Sequence, residues 1–232
     1  MRTYTGVVRE ISWQVGLGRT AWIECPPSAI PAAGRYVMAW SPEDIDAPLA
    51  TPLFMSRPEG KGFRTATPIP IAWEPGAPLQ LRGPLGRGFT PPRELRRLAL
   101  ASPDEHIACL QPLMQNALDQ GAAVALFTDY APAALPAAVE VNPLETLSEA
   151  LVWADYLALG LAPQALPTLS RLLGVERAAR ALPCPAQALV RLAMPCGGLA
   201  DCGACAVETR RGWEMACRDG PVFDLLDLLP KV

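Results

Sequence analysis

Apolar residues alternate with polar ones through roughly the first third of the chain, then switch near residue 93 to helical spacing and unbroken runs. In the first stretch Val7, Val8, Ile11 and Trp13 open a β-rich segment, and Thr20–Cys25 alternates at period two. Turns at Pro26-Pro-Ser and Pro31-Ala-Ala-Gly34 precede a strand over Arg35–Trp40. Pro52–Met55, Phe63–Thr65 and Pro78–Arg82 supply three more short strands. Short strands separated by turn signals predict a small antiparallel Greek-key barrel, whose closure leaves no exposed edge. Trp22 and Trp40 are expected in its core.

The second period implies a different architecture. Arg96–Ser102 reads as a strand that runs into a helix-start signal, Ser102-Pro103 followed by Asp104 and Glu105. Ile107–Gln120 carries apolar residues at Ile107, Leu110, Leu113, Met114 and Leu118 and stops at Gly121, the pattern of an amphipathic helix. Ala122–Phe127 is a buried parallel strand, Leu144–Leu159 a short helix and a strand, and Pro163–Leu173 a last helix. Alternating strands and helices predict a doubly wound parallel α/β domain. The chain therefore divides into a β domain over 1–92, an α/β domain over 93–183 and a third unit over 184–232.

A dinucleotide-binding sheet needs a glycine-rich turn after its first strand. Here that turn is Ala101-Ser-Pro-Asp-Glu-His106: it has no glycine, and two carboxylates would repel a pyrophosphate. Asp104 and Glu105 read instead as charges favoured in a first helical turn. NAD(P)H is not expected to bind. His106, the sole histidine, reads as a surface residue, and no nucleophile–base constellation surrounds it.

The third unit carries the candidate chemistry. Four of the seven cysteines, Cys196, Cys202, Cys205 and Cys217, fall in the spacing C-x5-C-x2-C-x11-C. Four soft thiolates suit a 2Fe–2S cluster or a tetrahedral zinc, and disulfides or free thiols are the third reading. The C-x4-C-x2-C loop of plant-type ferredoxins differs by one residue in the first gap, whereas zinc sites usually present two short pairs. Gly197, Gly198 and Gly203 would let the loop turn tightly and aim backbone N–H groups at sulfur. Asp201, directly before the second cysteine, would lower the potential of a cluster there. Cys25 and Cys109 lie in apolar segments and read as buried thiols, and Cys184 has no ligand-like spacing.

Composition narrows the setting. Half the residues are hydrophobic and 19% are charged, which marks a globular chain. A net charge of −3 with no basic stripe argues against nucleic acid. No run of 18 apolar residues predicts a membrane span, and the opening Met-Arg-Thr-Tyr-Thr-Gly has no apolar signal region, so a reducing cytoplasmic location is expected.

The tail from Cys184 to Val232 resembles the electron-transfer subunit of heterotetrameric, NAD-dependent dihydroorotate dehydrogenases, in which a cysteine-rich loop and a fourth cysteine precede Asp-Gly-Pro-Val-Phe. Here Asp219-Gly-Pro-Val-Phe223 follows Cys217. Gly83-Pro-Leu-Gly-Arg-Gly-Phe89 is similar to the segment that ends the family's flavin barrel, and the order of barrel, α/β domain and cluster domain is that of ferredoxin-reductase-like proteins. The resemblance implies FAD at Gly83, Pro84, Leu85 and Gly86, and a 2Fe–2S cluster on Cys196, Cys202, Cys205 and Cys217. It also implies a hetero-oligomer in which the cluster exchanges electrons with a catalytic flavoprotein subunit.

Three family elements are replaced. The flavin strand's Arg-x-x-Ser is missing near Pro48–Met55, prolines fill Thr65–Trp73 where a Gly-x-Gly-Thr helix start should stand, and the nicotinamide glycines give way to the acidic turn. Two readings of Gly83–Gly88 stay open, a phosphate cradle and a turn between domains. The chain reads as an electron-transfer component of an oxidoreductase rather than a catalyst by itself. The alternative is a non-redox structural or regulatory adaptor with a cluster or zinc as fold staple.

Overall fold

A computed structural model describes residues 2–14, 18–44, 49–104, 107–130, 135–174 and 182–229. Six strands, β1 (Thr3–Gln14), β2 (Gly18–Glu24), β3 (Tyr36–Trp40), β4 (Thr51–Glu59), β5 (Gly62–Thr65) and β6 (Pro78–Leu85), close into an antiparallel barrel in the order β1-β2-β5-β4-β3-β6. The long β1 pairs with β6 through Thr3–Val7 and with β2 through Val7–Gln14; a register shift between Val8 and Glu10 bends it between the two partners. Gly62 permits β5 to lie against β2, because a Cβ there would come within 1.9 Å of the Ile23 carbonyl oxygen.

Alternation places Val37, Ala39, Leu53, Phe63, Leu79 and Leu81 inside the barrel. Trp73 is the tryptophan buried with them. Trp22 and Trp40, expected in the core, are half-buried, and the Trp22 indole donates to the Glu59 carbonyl oxygen. The indole N–H needs an acceptor, and the barrel interior offers none where the strand carbonyls are already paired.

One charged residue is buried in the barrel wall. Arg64 donates to Glu59 and Glu10 and to the Ser12 hydroxyl. Hydrogen bonds from Arg64 hold the Glu59 carboxyl at about 2, against an ordinary value of 4.5. A depressed carboxylate pKa stabilises the fold above the unfolded value and loses that contribution as pH falls from 4.5 through 2. Glu59→Gln is therefore expected to be less stable than the parent by about 1–2 kcal/mol at neutral pH, with the gap vanishing near pH 2. Urea midpoints at both pH values check this; a gap that persists in acid refutes it.

The second layer is a six-stranded sheet, order β14-β11-β10-β7-β8-β9, from β7 (Arg97–Ala101), β8 (Ala123–Phe127), β9 (Val139–Asn142), β10 (Tyr156–Leu161), β11 (Ala186–Val190) and β14 (Val222–Asp224). All neighbours are parallel except β14 on β11. Helix α1 (Gln111–Asp119) covers one face over Leu98, Leu100, Val124 and Leu126. Helices α2 (Leu147–Trp153) and α3 (Leu166–Leu172) cover the other, over Ala99, Ala125, Leu157 and Leu159. This is the doubly wound sheet the periodicity predicts. Strands Ala186–Val190 and Val222–Asp224, which the division at 184 assigns to the third unit, complete this sheet, so the cysteine segment is anchored at both ends in the α/β layer.

Helix α1 begins later than its pattern suggests: Ile107–Leu110 is a 3-10 turn, and Asp104 lies outside any helix. Glu105 and His106 fall outside the described residues. Among the described residues no helix is long and apolar enough to cross a membrane.

Candidate metal centre

The four clustered cysteines stand on a loop and a hairpin between β11 and β14. The hairpin pairs β12 (Ala206–Thr209) with β13 (Gly212–Met215), Ala206 opposite Met215. Two residues, Arg210 and Arg211, turn it, and Gly212 takes the positive φ of 115°. The gap of 11 residues between Cys205 and Cys217 is thus the length of this hairpin, and the Ala216 N–H to Cys205 carbonyl bond closes its open end with the two cysteines side by side.

The loop before it is turned by left-handed residues. Gly197, Gly198 and Gly203 have φ of 66°, 79° and 71°, and Ala200 joins them at 65°, a conformation rare for a residue with a side chain. This winding aims backbone N–H groups inward. Those of Asp201, Cys202 and Leu199 reach the Cys196 sulfur, and they lower its pKa to about 6, with Asp201 the largest influence. The Ala200 N–H reaches Cys217, but burial, seconded by the neighbouring Cys205 thiol, pushes Cys217 up to about 12.

The four cysteines are near neighbours: Cys202 influences Cys196, and both Cys205 and Cys196 influence Cys217. Cys202 is exposed and Cys196 half-buried, whereas Cys205 and Cys217 are buried. Among the described residues no three such side chains are gathered around a single metal-ion position. Four soft donors, with N–H groups directed at sulfur, suit an iron–sulfur group. Cys25, Cys109 and Cys184 are buried thiols outside this arrangement; burial raises the pKa of each.

Strand β3 is the floor beneath the pairs. Its outer residues Tyr36 and Met38 are fully buried although they point away from the barrel. The Tyr36 hydroxyl donates to the Cys217 carbonyl oxygen at 2.7 Å, and Gly198 lies against Tyr36, Leu85 and Met38. Nothing in the sequence singles out Tyr36, because its partners in the cysteine segment, Gly198 and Cys217, lie 160 residues or more along the chain.

Residues 193–229 match the family model of the iron–sulfur cluster binding domain of dihydroorotate dehydrogenase B. The chain has the ferredoxin-reductase-like fold. Three solved structures illustrate its fold. An NADH-dependent reduced ferredoxin–NADP oxidoreductase, described for flavin-based electron bifurcation, is similar at a TM-score of 0.69 and 17% identity, over 96% of this chain and 89% of that one. The Amycolatopsis cytochrome P450 reductase GcoB gives 0.55 and 15%, and the ferredoxin reductase of carbazole 1,9a-dioxygenase 0.52 and 16%; each covers 76% of this chain and 66% of its own. No curated protein sequence matches. The family match supports an iron–sulfur cluster on the segment that contains all four clustered cysteines.

The two motifs behind the dihydroorotate dehydrogenase resemblance meet in space. The Arg87 N–H donates to the Gly220 carbonyl oxygen, Arg87 bridges to Pro221, and both Gly83–Pro84 and Gly220–Pro221 are cis. A Cβ on Gly86 would come within 2.7 Å of the Gly220 oxygen and the Pro221 ring. Arg35 donates to the Pro84 and Gly86 carbonyl oxygens. Gly83–Gly86 thus form a seam between barrel and tail.

The crevice where the strand order reverses lies at the carboxyl ends of β7 and β10. Asp104 occupies it, paired with Arg191 from beyond β11, and the buried Ser102 hydroxyl donates to the Asp104 carbonyl and carboxylate oxygens. The sequence-based role of Asp104 as a first-turn charge is corrected accordingly: its partner is a guanidinium 87 residues away.

Proposed function

We propose that the chain relays single electrons through a 2Fe–2S cluster held by Cys196, Cys202, Cys205 and Cys217, within a hetero-oligomer whose catalytic flavoprotein subunit is dihydroorotate dehydrogenase-like. The observation that carries this reading is that all four cysteines lie in the segment matched by an iron–sulfur cluster binding family model, on a loop whose backbone N–H groups are directed at sulfur. That match favours the relay over the zinc-stapled adaptor. A cytoplasmic, reducing setting belongs to the proposal, since the thiols must stay reduced to take iron. So do a barrel unit over 1–92, an α/β unit over 93–183 and a cluster unit over 184–232 whose end strands lie in the α/β sheet.

On this reading the nicotinamide nucleotide has no place. Its pyrophosphate would have to displace the Asp104–Arg191 pair and sit beside a carboxylate. FAD meets a similar obstacle. Phe54, in the strand where the resemblance expects flavin contacts, stacks obliquely on Tyr36 at 5.7 Å, and Ala66 lies against Cys109 of the α/β layer. Gly83, Pro84, Leu85 and Gly86, the candidate FAD residues, are engaged with Arg35 and the tail. The partner's flavin, not one held here, would then supply and accept the electrons.

The test is the absorption spectrum of anaerobically purified protein with iron, zinc and flavin analysis. About two irons per chain, visible charge-transfer bands and no flavin are expected. Stoichiometric FAD would restore an internal flavin step, and one zinc in a colourless protein would replace the relay with the adaptor. Asp201 gives a finer check. Its exposed carboxylate is expected to lower the cluster potential slightly, so Asp201→Asn should raise the midpoint by about 10–30 mV, half a tenfold step or less for a one-electron couple. An unchanged midpoint removes Asp201 from the account.

A further inference from the structure

Arg82 sits on the outer face of β6, between the buried Leu81 and Gly83, and pairs in register with Met38 of β3 and Thr3 of β1. A charged side chain in this position is unusual, since the outer faces of β3 and β6 here are covered by the cluster loop. Met38, Tyr36 and Leu85 around it all touch that loop at Gly198. The guanidinium lies directly under the next residue: a Cβ on Gly197 would come within 2.9 Å of Arg82 Nη2. Gly197 follows Cys196, so the cation is one residue from a proposed iron ligand. Its Nε is buried and has no hydrogen-bond partner among the described residues, whereas the nearby Arg35 guanidinium and Tyr36 hydroxyl donate to backbone carbonyls.

A buried guanidinium donor left without an acceptor is costly unless an anion faces it. The group proposed for this loop is anionic. An oxidised 2Fe–2S cluster with four thiolates carries a net charge of about −2, and reduction adds one more negative charge. A fixed, half-buried cation beside it opposes that growth of charge, and is screened less than one in open solvent.

We propose that Arg82 is the charge partner of the cluster, a positioning residue that raises the reduction potential of the centre by stabilising its one-electron-reduced form. The inference rests on the relay reading given above. The step involved is the gain of one electron from a reduced flavin or a chemical reductant, with no change in bonds. Arg82 acts only through its field and through the N–H it directs at the loop. Nothing in the sequence resemblance marks this position, which is read as strand ahead of the glycine turn.

The experiment is a redox titration, followed by electron paramagnetic resonance of the reduced centre, on the full chain carrying Arg82→Met, Arg82→Gln or Arg82→Lys. Iron content is measured first on every preparation. Arg82→Met and Arg82→Gln are expected to hold the electron about tenfold less tightly, a fall in midpoint of about 59 mV for a one-electron couple, with Arg82→Lys near the parent value. Equal midpoints in parent and Arg82→Gln overturn the proposal, as does an equal fall in Arg82→Lys. If the two neutral variants fail to retain iron while Arg82→Lys keeps it, the charge is confirmed as the cluster's partner through retention. If all three lose iron, Arg82 is a packing residue and the proposal is wrong. A parent protein without iron would remove the relay itself, an outcome distinct from any failure of Arg82.

Discussion

Cys217→Ala is expected to reduce bound iron from about two atoms per chain to near zero and to abolish the visible bands. Cys217 is 2% exposed, and its partner Cys205 is 1% exposed, so no water or outside thiol can reach the gap that the substitution leaves. Its burial also raises the thiol pKa to about 12, which means that only a bound metal would draw the proton off at neutral pH. The hairpin β12–β13 holds Cys205 in place after the change, but one thiolate cannot hold the second iron. Cys184→Ser supplies the control. Cys184 is also buried but precedes β11, whereas Cys196 follows it, so the strand's length separates them. This variant is expected to keep its full iron. Metal analysis and the absorption spectrum of both proteins decide the matter. Iron retained by Cys217→Ala, or lost equally from Cys184→Ser, would break the proposed ligand set.

The second large effect concerns the seam that joins barrel to tail. Gly86→Ala is expected to destabilise the protein by about 2–4 kcal/mol, from a left-handed backbone and an overpacked contact together. The φ of Gly86 is 70°, and its absent Cβ would lie 2.7 Å from the Gly220 carbonyl oxygen, a backbone atom that cannot rotate aside. Gly121→Ala separates the two causes. Its φ is 77°, but nothing lies within 4 Å of the Cβ position, so only the backbone cost of about 1 kcal/mol applies. Because Gly220 leads into β14 and Cys217 lies just upstream, Gly86→Ala should also loosen the iron. Thermal unfolding of both variants tests this. Equal losses of stability would mean that the tail yields and the seam carries no strain.

Much of the architecture is readable before folding is considered. The alternating segments become six barrel strands, and the helical period over Ile107–Gln120 becomes a 3-10 turn and α1. Val222–Asp224 is a short strand and Leu225–Leu228 a short helix, with Asp224 accepting the Leu226 N–H as its cap. The tryptophans are where the pattern misleads. Period two places Trp22 and Trp40 on strands but cannot say whether their indole nitrogens find an acceptor inside, and Trp73, in a proline-rich turn without periodicity, fills the core instead.

Local chemistry determined the cysteine set. Its spacing is a covalent property of the chain: the hairpin length lies in the 11-residue gap, and the loop's glycines supply the positive φ that turns N–H groups inward. Tertiary structure decided every feature made by residues distant in sequence. Tyr36 reaches Cys217 across 181 positions, Asp104 finds Arg191, and Arg82 lies beneath Gly197. These contacts depend on how the barrel's outer face is laid against the α/β layer. That arrangement is set by summed burial over many residues and leaves no signal at any one of them.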